Sequence, residues 1–140
     1  MSNTSWLMLL CLISALLGTA AAGDFSVDIS SNATVGSYLV DKDGFALYYF
    51  ANDVPGGGTS SCFGDCADTW PPFYTEIITV PSSLRASDFT TITREDGKLQ
   101  NVYKGWPLYR YSGDKAAGDV RGHGINDVWF VVNPASTPQS

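Results

Sequence analysis

Basic residues are scarce in this sequence. Eight Lys and Arg oppose fourteen Asp and Glu among 140 residues, which gives a formal net charge of −6 and an acidic pI near 4.4. Nucleic-acid interfaces need a basic face, and docking on an anionic membrane needs clustered Lys or Arg. The composition therefore excludes nucleic acid and anionic membranes as partners, and it fits a soluble surface protein.

Histidine and catalytic motifs are also scarce. The only histidine, His123, lies between two glycines, and the chain has no G-x-S-x-G, H-E-x-x-H or Walker-type motif. We therefore predict that the protein is not an enzyme and holds no cofactor or metal. One alternative stays open: Cys62, Cys66 and His123 could bind copper or carry thiol–disulfide chemistry in the cell envelope, because thiolates and imidazole suit copper.

Long apolar runs are confined to the N-terminus. Residues 6–22 carry no charged side chain and end in three alanines, which is typical of a signal peptide cleaved after Ala22. A retained membrane anchor, at the short limit of a spanning helix, is the alternative. Cleavage removes residues 1–22, leaves no spanning segment, and places the protein outside the cytoplasm, secreted or at the cell surface. Leu10 precedes Cys11, so Cys11 is not a lipidation site.

Cysteine is rare as well. Of three cysteines in the chain, only Cys62 and Cys66 remain after cleavage. Disulfides persist in exported proteins, so we predict a Cys62–Cys66 bond. A loop this short gains least from a cross-link, about 2 kcal/mol, so the bond shapes a loop more than it supports the fold.

Helical periodicity is missing, whereas aromatic and β-branched residues alternate in short runs. The sequence thus predicts an all-β fold with little helix. Residues 23–35 form a polar lead-in with one short strand, and Asn32 begins an acceptor sequon for N-glycosylation. Residues 54–69 form a Gly- and Ser-rich loop, 81–88 one helical turn, and 134–140 a disordered tail.

An internal repeat is the strongest pattern in the chain. Segment 40–53 matches 102–114 once one turn residue is deleted: both read V-x-K, Gly, an aromatic residue, x, Leu-Tyr, x, an aromatic residue, x-x, Asp. The residues after the glycine alternate between two apolar faces, which predicts a strand covered on both sides. We predict one domain over 36–133: a small sandwich or barrel-like module of two pseudo-symmetric hairpin repeats, about 36–73 and 98–133, with long Gly-rich loops.

Each copy carries the motif Y-x-[FWY]-x-x-D and is followed by a tryptophan. The first copy contains Tyr48, Phe50, Asp53 and Trp70, and the second contains Tyr109, Tyr111, Asp114 and Trp129. An aspartate just past a strand can accept backbone N–H bonds and fix the next loop, and a tryptophan can cover a hairpin. The alternative for the two aspartates is a pair of symmetry-related ligand carboxylates.

The two motif copies accompany a C-x-x-x-C-A-x-x-W-P-P stretch at 62–72 and a G-D-V-x-G-x-G-x-x-x-V-W stretch at 118–129. Together these patterns resemble the family of predicted secreted lipoproteins called secreted repeat of unknown function, and the resemblance covers 36–133. It implies an exported, often lipid-anchored protein from a family with no established activity. This chain departs from the lipid-anchored members because it lacks a usable lipobox cysteine.

Aromatic residues make up 13% of the chain. They build cores, and they also stack on sugars or peptides, so Tyr74, Tyr103 and Trp106 are candidates for exposed contact residues. The sequence as a whole predicts an exported, non-catalytic binding or structural module with a protein or glycan partner at the cell surface.

Overall fold

The computed structural model describes residues 24–136 of the chain. The predicted signal peptide at 1–22 and the last part of the predicted tail, 137–140, lie outside the described residues. Within 24–136 no helix is both long enough and apolar enough to cross a membrane. The described start of the tail forms a turn, in which the Ser136 N–H donates to the Asn133 carbonyl at 3.2 Å.

Strands form most of the regular secondary structure in the described part of the chain. They are β1 (Val27–Asn32), β2 (Gly36–Asp41), β3 (Tyr48–Phe50), β4 (Phe89–Thr93), β5 (Leu99–Tyr103), β6 (Trp106–Pro107) and β7 (Trp129–Val131). One short α-helix, α1 (Asp65–Thr69), and two 3-10 turns, Ala86–Asp88 and Ile125–Asp127, are the helical elements of residues 24–136. The prediction of an all-β fold with little helix is therefore confirmed.

The strands form three small antiparallel sheets. β1 pairs with β2 over its whole length, from Val27 opposite Asp41 to Asn32 opposite Gly36. β4 pairs with β5, β5 also pairs with β6, and β3 pairs with β7. The segment that we interpreted as a polar lead-in therefore contains a strand that forms half of a sheet.

A pseudo-twofold axis relates the two repeats and passes between Tyr48 and Tyr109. The backbone N–H of each tyrosine donates to the carbonyl oxygen of the other, at 2.8 and 2.9 Å. The β1–β2 and β4–β5 hairpins occupy matching places, and each leads into a turn with a glycine in the left-handed region. These glycines, Gly44 and Gly105, have φ angles of 89° and 90°. The predicted pair of repeats is present.

Each repeat completes its central strand with a segment of the other repeat. β3 of the first repeat pairs with β7 of the second. In the second repeat, Tyr109 lies opposite Pro72, and the Arg110 N–H donates to the Pro71 carbonyl at 2.8 Å. Because proline has no N–H, Pro71 and Pro72 offer only carbonyl groups for pairing, and the segment forms no regular strand. The repeats therefore interlock and do not pack as independent units.

Two hydrophobic cores cover the two faces of the central strands. Leu47 and Leu108 belong to the first core, whereas the neighbouring Tyr48 and Tyr109 belong to the second. Successive side chains of a strand point to opposite faces, so this alternation buries both of them. The prediction that the repeated strand is covered on both sides is confirmed.

The turn that follows β2 does not connect two long paired strands. A single isolated bridge joins its two arms, while β2 makes its long pairing with β1. The buried Asp41 carboxylate accepts the backbone N–H groups of Asp43 and Phe45, at 2.9 and 3.0 Å. A side chain therefore fixes this turn, in the way that aspartate commonly does.

We predicted a loop over the whole Gly- and Ser-rich segment 54–69. This prediction is wrong for its last residues, because α1 begins at Asp65. Two acidic residues in its first turn favour the N-terminal end of a helix. The predicted Cys62–Cys66 disulfide is present and ties the loop to this helix. The helical turn predicted within 81–88 is present as Ala86–Asp88.

Candidate functional site

The two motif tyrosines hydrogen-bond to the motif aspartates of the opposite repeat. The Tyr48 hydroxyl donates to Asp114 Oδ2 at 2.6 Å, and the Tyr109 hydroxyl donates to Asp53 Oδ2 at 2.6 Å. The Tyr109 hydroxyl also forms a 2.7 Å hydrogen bond with Ser60 Oγ. The Y-x-[FWY]-x-x-D motif therefore makes its contacts between the repeats and not within one.

Each motif aspartate also fixes the loop that follows it. Asp53 Oδ1 accepts the Ser61 N–H at 2.7 Å, and Asp114 Oδ1 accepts the Arg121 N–H at 2.9 Å. Burial raises the pKa of both carboxyl groups above the ordinary value, although the hydrogen-bond donors act in the opposite direction. This geometry matches the loop-fixing interpretation, and it does not bring the two carboxylates together in one ligand site.

Burial acts on the two tyrosines as well. It raises the pKa of the Tyr48 and Tyr109 phenols, and the hydrogen-bonded aspartates add to the rise. Both phenols consequently stay protonated at physiological pH and keep donating to their aspartates. The motif is a pair of buried, satisfied polar contacts.

Four aromatic rings stack between the repeats in the order Phe50, Trp129, Trp70, Tyr111. The ring centroids are 4.2, 3.9 and 4.3 Å apart along this stack, and the two indole planes lie within 2° of parallel. Each tryptophan stacks on the motif aromatic of the other repeat. Each also meets the motif tyrosine of its own repeat edge-on: Tyr48 with Trp70 at 5.4 Å and Tyr109 with Trp129 at 5.0 Å. The two tryptophans belong to the second core, and Phe50 and Tyr111 pack against it.

Arg94 is a buried cation that the sequence analysis missed. It is 2% exposed, and its guanidinium donates to Ser60 Oγ at 2.9 Å, Gln100 Oε1 at 2.8 Å and the Cys62 carbonyl at 2.6 Å. Through Ser60 it connects to Tyr109, so the disulfide loop and the motif share one polar network. Nothing in the local sequence distinguishes Arg94 from an ordinary exposed arginine before a turn.

A cleft of about 560 Å³ opens beside the turn that follows β2. Its volume lies within the range of about 300–1,000 Å³ that is usual for small-molecule sites. We call it the Arg110 cleft. The residues that line it include Asp41, Asp43, Pro71, Pro72, Tyr74 and Arg110, with Asp114 also contributing.

Arg110 is held in place on the wall of this cleft. Its Nη1 lies 2.7 Å from Asp41 Oδ2, and its guanidinium lies over the Phe45 ring at 4.7 Å. The carboxylate is buried, whereas the arginine side chain is 38% exposed. An ion pair and a cation–π contact therefore position a guanidinium whose remaining N–H donors can serve a ligand.

The pseudo-symmetric position in the other repeat is a smaller hollow of about 180 Å³. Tyr49 stands there in place of Arg110, and Phe130 stands in place of Pro71, as the matching strand pairs show. The Tyr49 and Phe130 rings pack 5.7 Å apart. The Arg110 cleft is thus a property of one repeat and not a consequence of the shared architecture.

A family model described as secreted repeat of unknown function matches residues 30–74 and 90–133. The two matches contain both motif copies and both stacked tryptophans. The chain belongs to this family. Searches of curated proteins and of solved structures found no match. The description of the family as secreted supports an extracellular location for the chain.

The ligand set of Cys62, Cys66 and His123 is not assembled in this secreted repeat protein. The two cysteines are bonded to each other, and His123 Nδ1 accepts the Val131 N–H at 3.1 Å. Within residues 24–136 no three His, Cys, Asp or Glu side chains form a group that could hold a metal ion. The copper alternative requires free thiolates beside an available imidazole, so it applies only to a reduced form of the protein. It stays a prediction, as does thiol–disulfide chemistry at the Cys62–Cys66 bond.

Of the three aromatic residues proposed for exposed contacts, only Tyr74 is exposed, with 42% of its surface accessible. Tyr103 and Trp106 are buried, so that part of the prediction is wrong. Tyr103 packs on Phe89 at 4.8 Å, and Trp106 packs on Tyr49 at 5.0 Å. The two residues lie opposite each other where β5 pairs with β6, and both side chains are buried.

The sequon residue Asn32 lies at the turn between β1 and β2. Its Oδ1 accepts the backbone N–H groups of Thr34 and Val35, at 2.9 and 2.8 Å. These bonds use the amide oxygen, whereas a glycan would be attached to the amide nitrogen. Glycosylation of Asn32 stays a prediction that this geometry permits.

Proposed function

We propose that this secreted repeat protein is a non-catalytic binding module that holds a cell-surface ligand in the Arg110 cleft. The observation that carries the proposal is a contrast between the motif and the cleft. The motif hydroxyl and carboxylate groups bond to each other in the interior. The cleft instead presents a positioned guanidinium and an exposed aromatic ring at the surface.

The groups with perturbed pKa values support a structural rather than a catalytic role. A perturbed carboxyl group marks a catalytic site when it faces a substrate. Asp53 and Asp114 each accept a phenol O–H and a backbone N–H instead. Asp114 does reach the wall of the cleft, but both of its oxygens already accept hydrogen bonds.

The cleft is formed in advance of binding. Asp41 and Phe45 hold Arg110 in place, and the proline rings at 71 and 72 fix their own φ angles. Immobilising a flexible side chain on binding costs about 0.5–1.5 kcal/mol. A wall whose side chains are already ordered avoids much of that cost, which favours recognition of a ligand without further rearrangement.

A cosedimentation assay tests the proposal with the purified mature protein and envelope fragments of its own cells. Ser112 is an exposed residue at the rim of the cleft, and Ser112→Trp places a large ring there. Val54 is exposed and does not line the cleft, so Val54→Trp is the matched control. We expect wild type and Val54→Trp to bind alike and Ser112→Trp to bind about tenfold more weakly.

Two results would contradict the proposal. Equal binding by wild type and Ser112→Trp would remove the cleft as the binding site. Release of soluble fragments from the envelope material, beyond that in a protein-free incubation, would contradict a non-catalytic role. Circular dichroism of each variant establishes that a loss of binding is not a loss of fold.

A further inference from the structure

Both cations that line the Arg110 cleft are paired with an aspartate, which disfavours a ligand that carries a net charge of either sign. Arg110 pairs with Asp41 at 2.7 Å, and Lys42 pairs with Asp43 at 3.3 Å. A ligand carboxylate that approached Arg110 would meet three aspartates, Asp41, Asp43 and Asp114, and a ligand ammonium would meet two cations. A neutral ligand with hydroxyl groups avoids both repulsions, because it can donate to the carboxylates and accept from the guanidinium.

The backbone of the cleft is poorly suited to an extended peptide. A peptide that adds a strand needs a row of backbone N–H and C=O groups on the receiving edge. Pro71 and Pro72 supply no N–H. The Pro71 carbonyl already accepts the Arg110 N–H at 2.8 Å. This part of the wall therefore offers side chains and ring surfaces to a ligand, and little backbone.

One tyrosine ring and two proline rings form an apolar part of the cleft. Tyr74 is 42% exposed, and the rings of Pro71 and Pro72 are half-buried beside it. A pyranose ring has an apolar C–H face that packs on such a surface, while its hydroxyl groups lie around the edge. Sites that combine an apolar platform with a few polar groups bind small organic ligands in a defined orientation.

We propose that the ligand of the Arg110 cleft is a neutral polysaccharide of the cell surface. A sugar ring packs on Tyr74, and its hydroxyl groups hydrogen-bond to Arg110 and Asp43. The inference rests on the proposed function, since it names the ligand class of the same cleft. The pseudo-symmetric hollow adds support, because Tyr49 and Phe130 occupy the matching space and the fold does not require it to be open.

The direct test is a nuclear magnetic resonance titration of the isotope-labelled mature chain. The probes are neutral oligosaccharides of glucose, mannose and N-acetylglucosamine, and an acidic oligosaccharide of a uronic acid. We expect a neutral probe to shift the amide signals around Tyr74 and Arg110. No shift with any neutral probe, or shifts with the uronic acid probe alone, would overturn the inference.

Variants of two exposed residues locate the contact. Tyr74→Ala removes the platform, and we expect it to weaken binding of the neutral probe by about tenfold, which corresponds to about 1.4 kcal/mol. Ile77 is 68% exposed and does not line the cleft, so Ile77→Ala is the control and should bind like wild type. An equal loss in both variants would overturn the assignment to Tyr74.

A second experiment separates this inference from the proposed function. Envelope fragments are treated either with periodate, which cleaves vicinal diols, or with protease, before the cosedimentation assay. Loss of binding after periodate alone supports a polysaccharide. Binding that survives periodate but not protease overturns the polysaccharide and leaves the binding module intact. Untreated fragments that fail to bind wild type would contradict the proposed function itself.

Discussion

Tyr48 in the first repeat donates a 2.6 Å hydrogen bond to Asp114 in the second, across 66 residues of sequence. The reciprocal contact runs from Tyr109 to Asp53 at the same distance. Each copy of the motif therefore supplies a donor to the other copy and receives one from it. We call these two tyrosine–aspartate hydrogen bonds between the repeats the clasp. A single copy of the motif would leave a buried carboxylate without its phenol donor.

The clasp predicts a loss of stability when either hydroxyl is removed. Tyr48→Phe leaves the buried Asp114 without one donor, and Tyr109→Phe does the same to Asp53. We expect each variant to lower the free energy of unfolding by about 1–3 kcal/mol. Urea unfolding of the two variants measures the loss. Tyr38→Phe is the control, because Tyr38 is buried in the same core without a carboxylate partner among the described residues.

A double-mutant cycle identifies which aspartate each tyrosine serves. Contacting residues show coupling energies of about 0.5–3 kcal/mol, whereas residues with no shared partner add nearly independently. We expect coupling between Tyr48→Phe and Asp114→Asn, and near-additivity between Tyr48→Phe and Asp53→Asn. The opposite result would mean that the motif acts within one repeat.

The motif aspartates predict a pH dependence of stability with a defined sign. Burial raises the pKa of Asp53 and Asp114 above the ordinary value of 3.8, so the folded protein binds these protons more readily than the unfolded chain. Their contribution favours folding most below pH 3.8 and decreases as the pH rises through the raised folded pKa. Between acidic and neutral pH these two groups therefore lower stability progressively.

Melting temperatures of wild type and of Asp53→Asn/Asp114→Asn across this pH range test the sign. Asparagine cannot titrate, so the wild type should lose stability relative to the double variant as the pH rises. Asp96 and Asp119, whose pKa values are lowered by backbone N–H donors, act in the opposite direction. Both proteins keep these two residues, so their effect cancels in the difference. If the melting temperature of the wild type instead rose relative to that of the double variant with rising pH, the pKa values of Asp53 and Asp114 would be lowered and not raised.

The sequence was sufficient to predict the repeat and the two covered faces. Both features depend on local periodicity, which a single chain displays. The loop contacts of Asp53 and Asp114 also follow from nearby sequence, since the aspartates bond to backbone N–H groups eight and seven residues ahead, in the loops that follow them. Local rules of this kind are readable in a single chain.

The interlock could not be predicted in the same way. A tyrosine and an aspartate five residues apart fit a contact within a repeat as well as one between repeats, and only the long-range pairing of β3 with β7 decides between them. Arg94 was missed for a related reason, because its partners Ser60 and Cys62 belong to a distant loop. The burial of Trp106 depends likewise on Tyr49, which lies in the other repeat.

The aromatic stack predicts an unusual sensitivity at Gly122. A Cβ there would lie 2.7 Å from Trp70 Cη2, and Trp70 cannot move away because Trp129 and Tyr111 stack on both of its faces. Overpacking of a dense core costs about 1–3 kcal/mol, so we expect Gly122→Ala to destabilise the fold by that amount. Urea unfolding and the near-ultraviolet circular dichroism of the tryptophan pair measure the effect.

The comparison for Gly122 is a glycine whose substitution meets no neighbour. Gly58 has a φ of 77° and no atom within 4 Å of the added Cβ, so Gly58→Ala reports backbone strain alone. Its near-ultraviolet spectrum should match that of wild type, whereas the Gly122→Ala spectrum should change. An unchanged spectrum in Gly122→Ala would mean that the stack tolerates displacement of Trp70.

Gly44 combines backbone strain with a steric contact, and the two can be separated. Its φ is 89°, and a Cβ would lie 2.8 Å from the Cβ of Ala117. An L-residue in the left-handed region costs about 1–2 kcal/mol. We expect Gly44→Ala to destabilise by more than Gly56→Ala, because Gly56 has a φ of 76° but open space around it. Adding Ala117→Gly to Gly44→Ala should recover the steric part and leave the backbone part. Urea unfolding of these three variants measures the effects. Full recovery would show that φ does not limit stability at this turn, and no recovery would show that the contact with Ala117 does not.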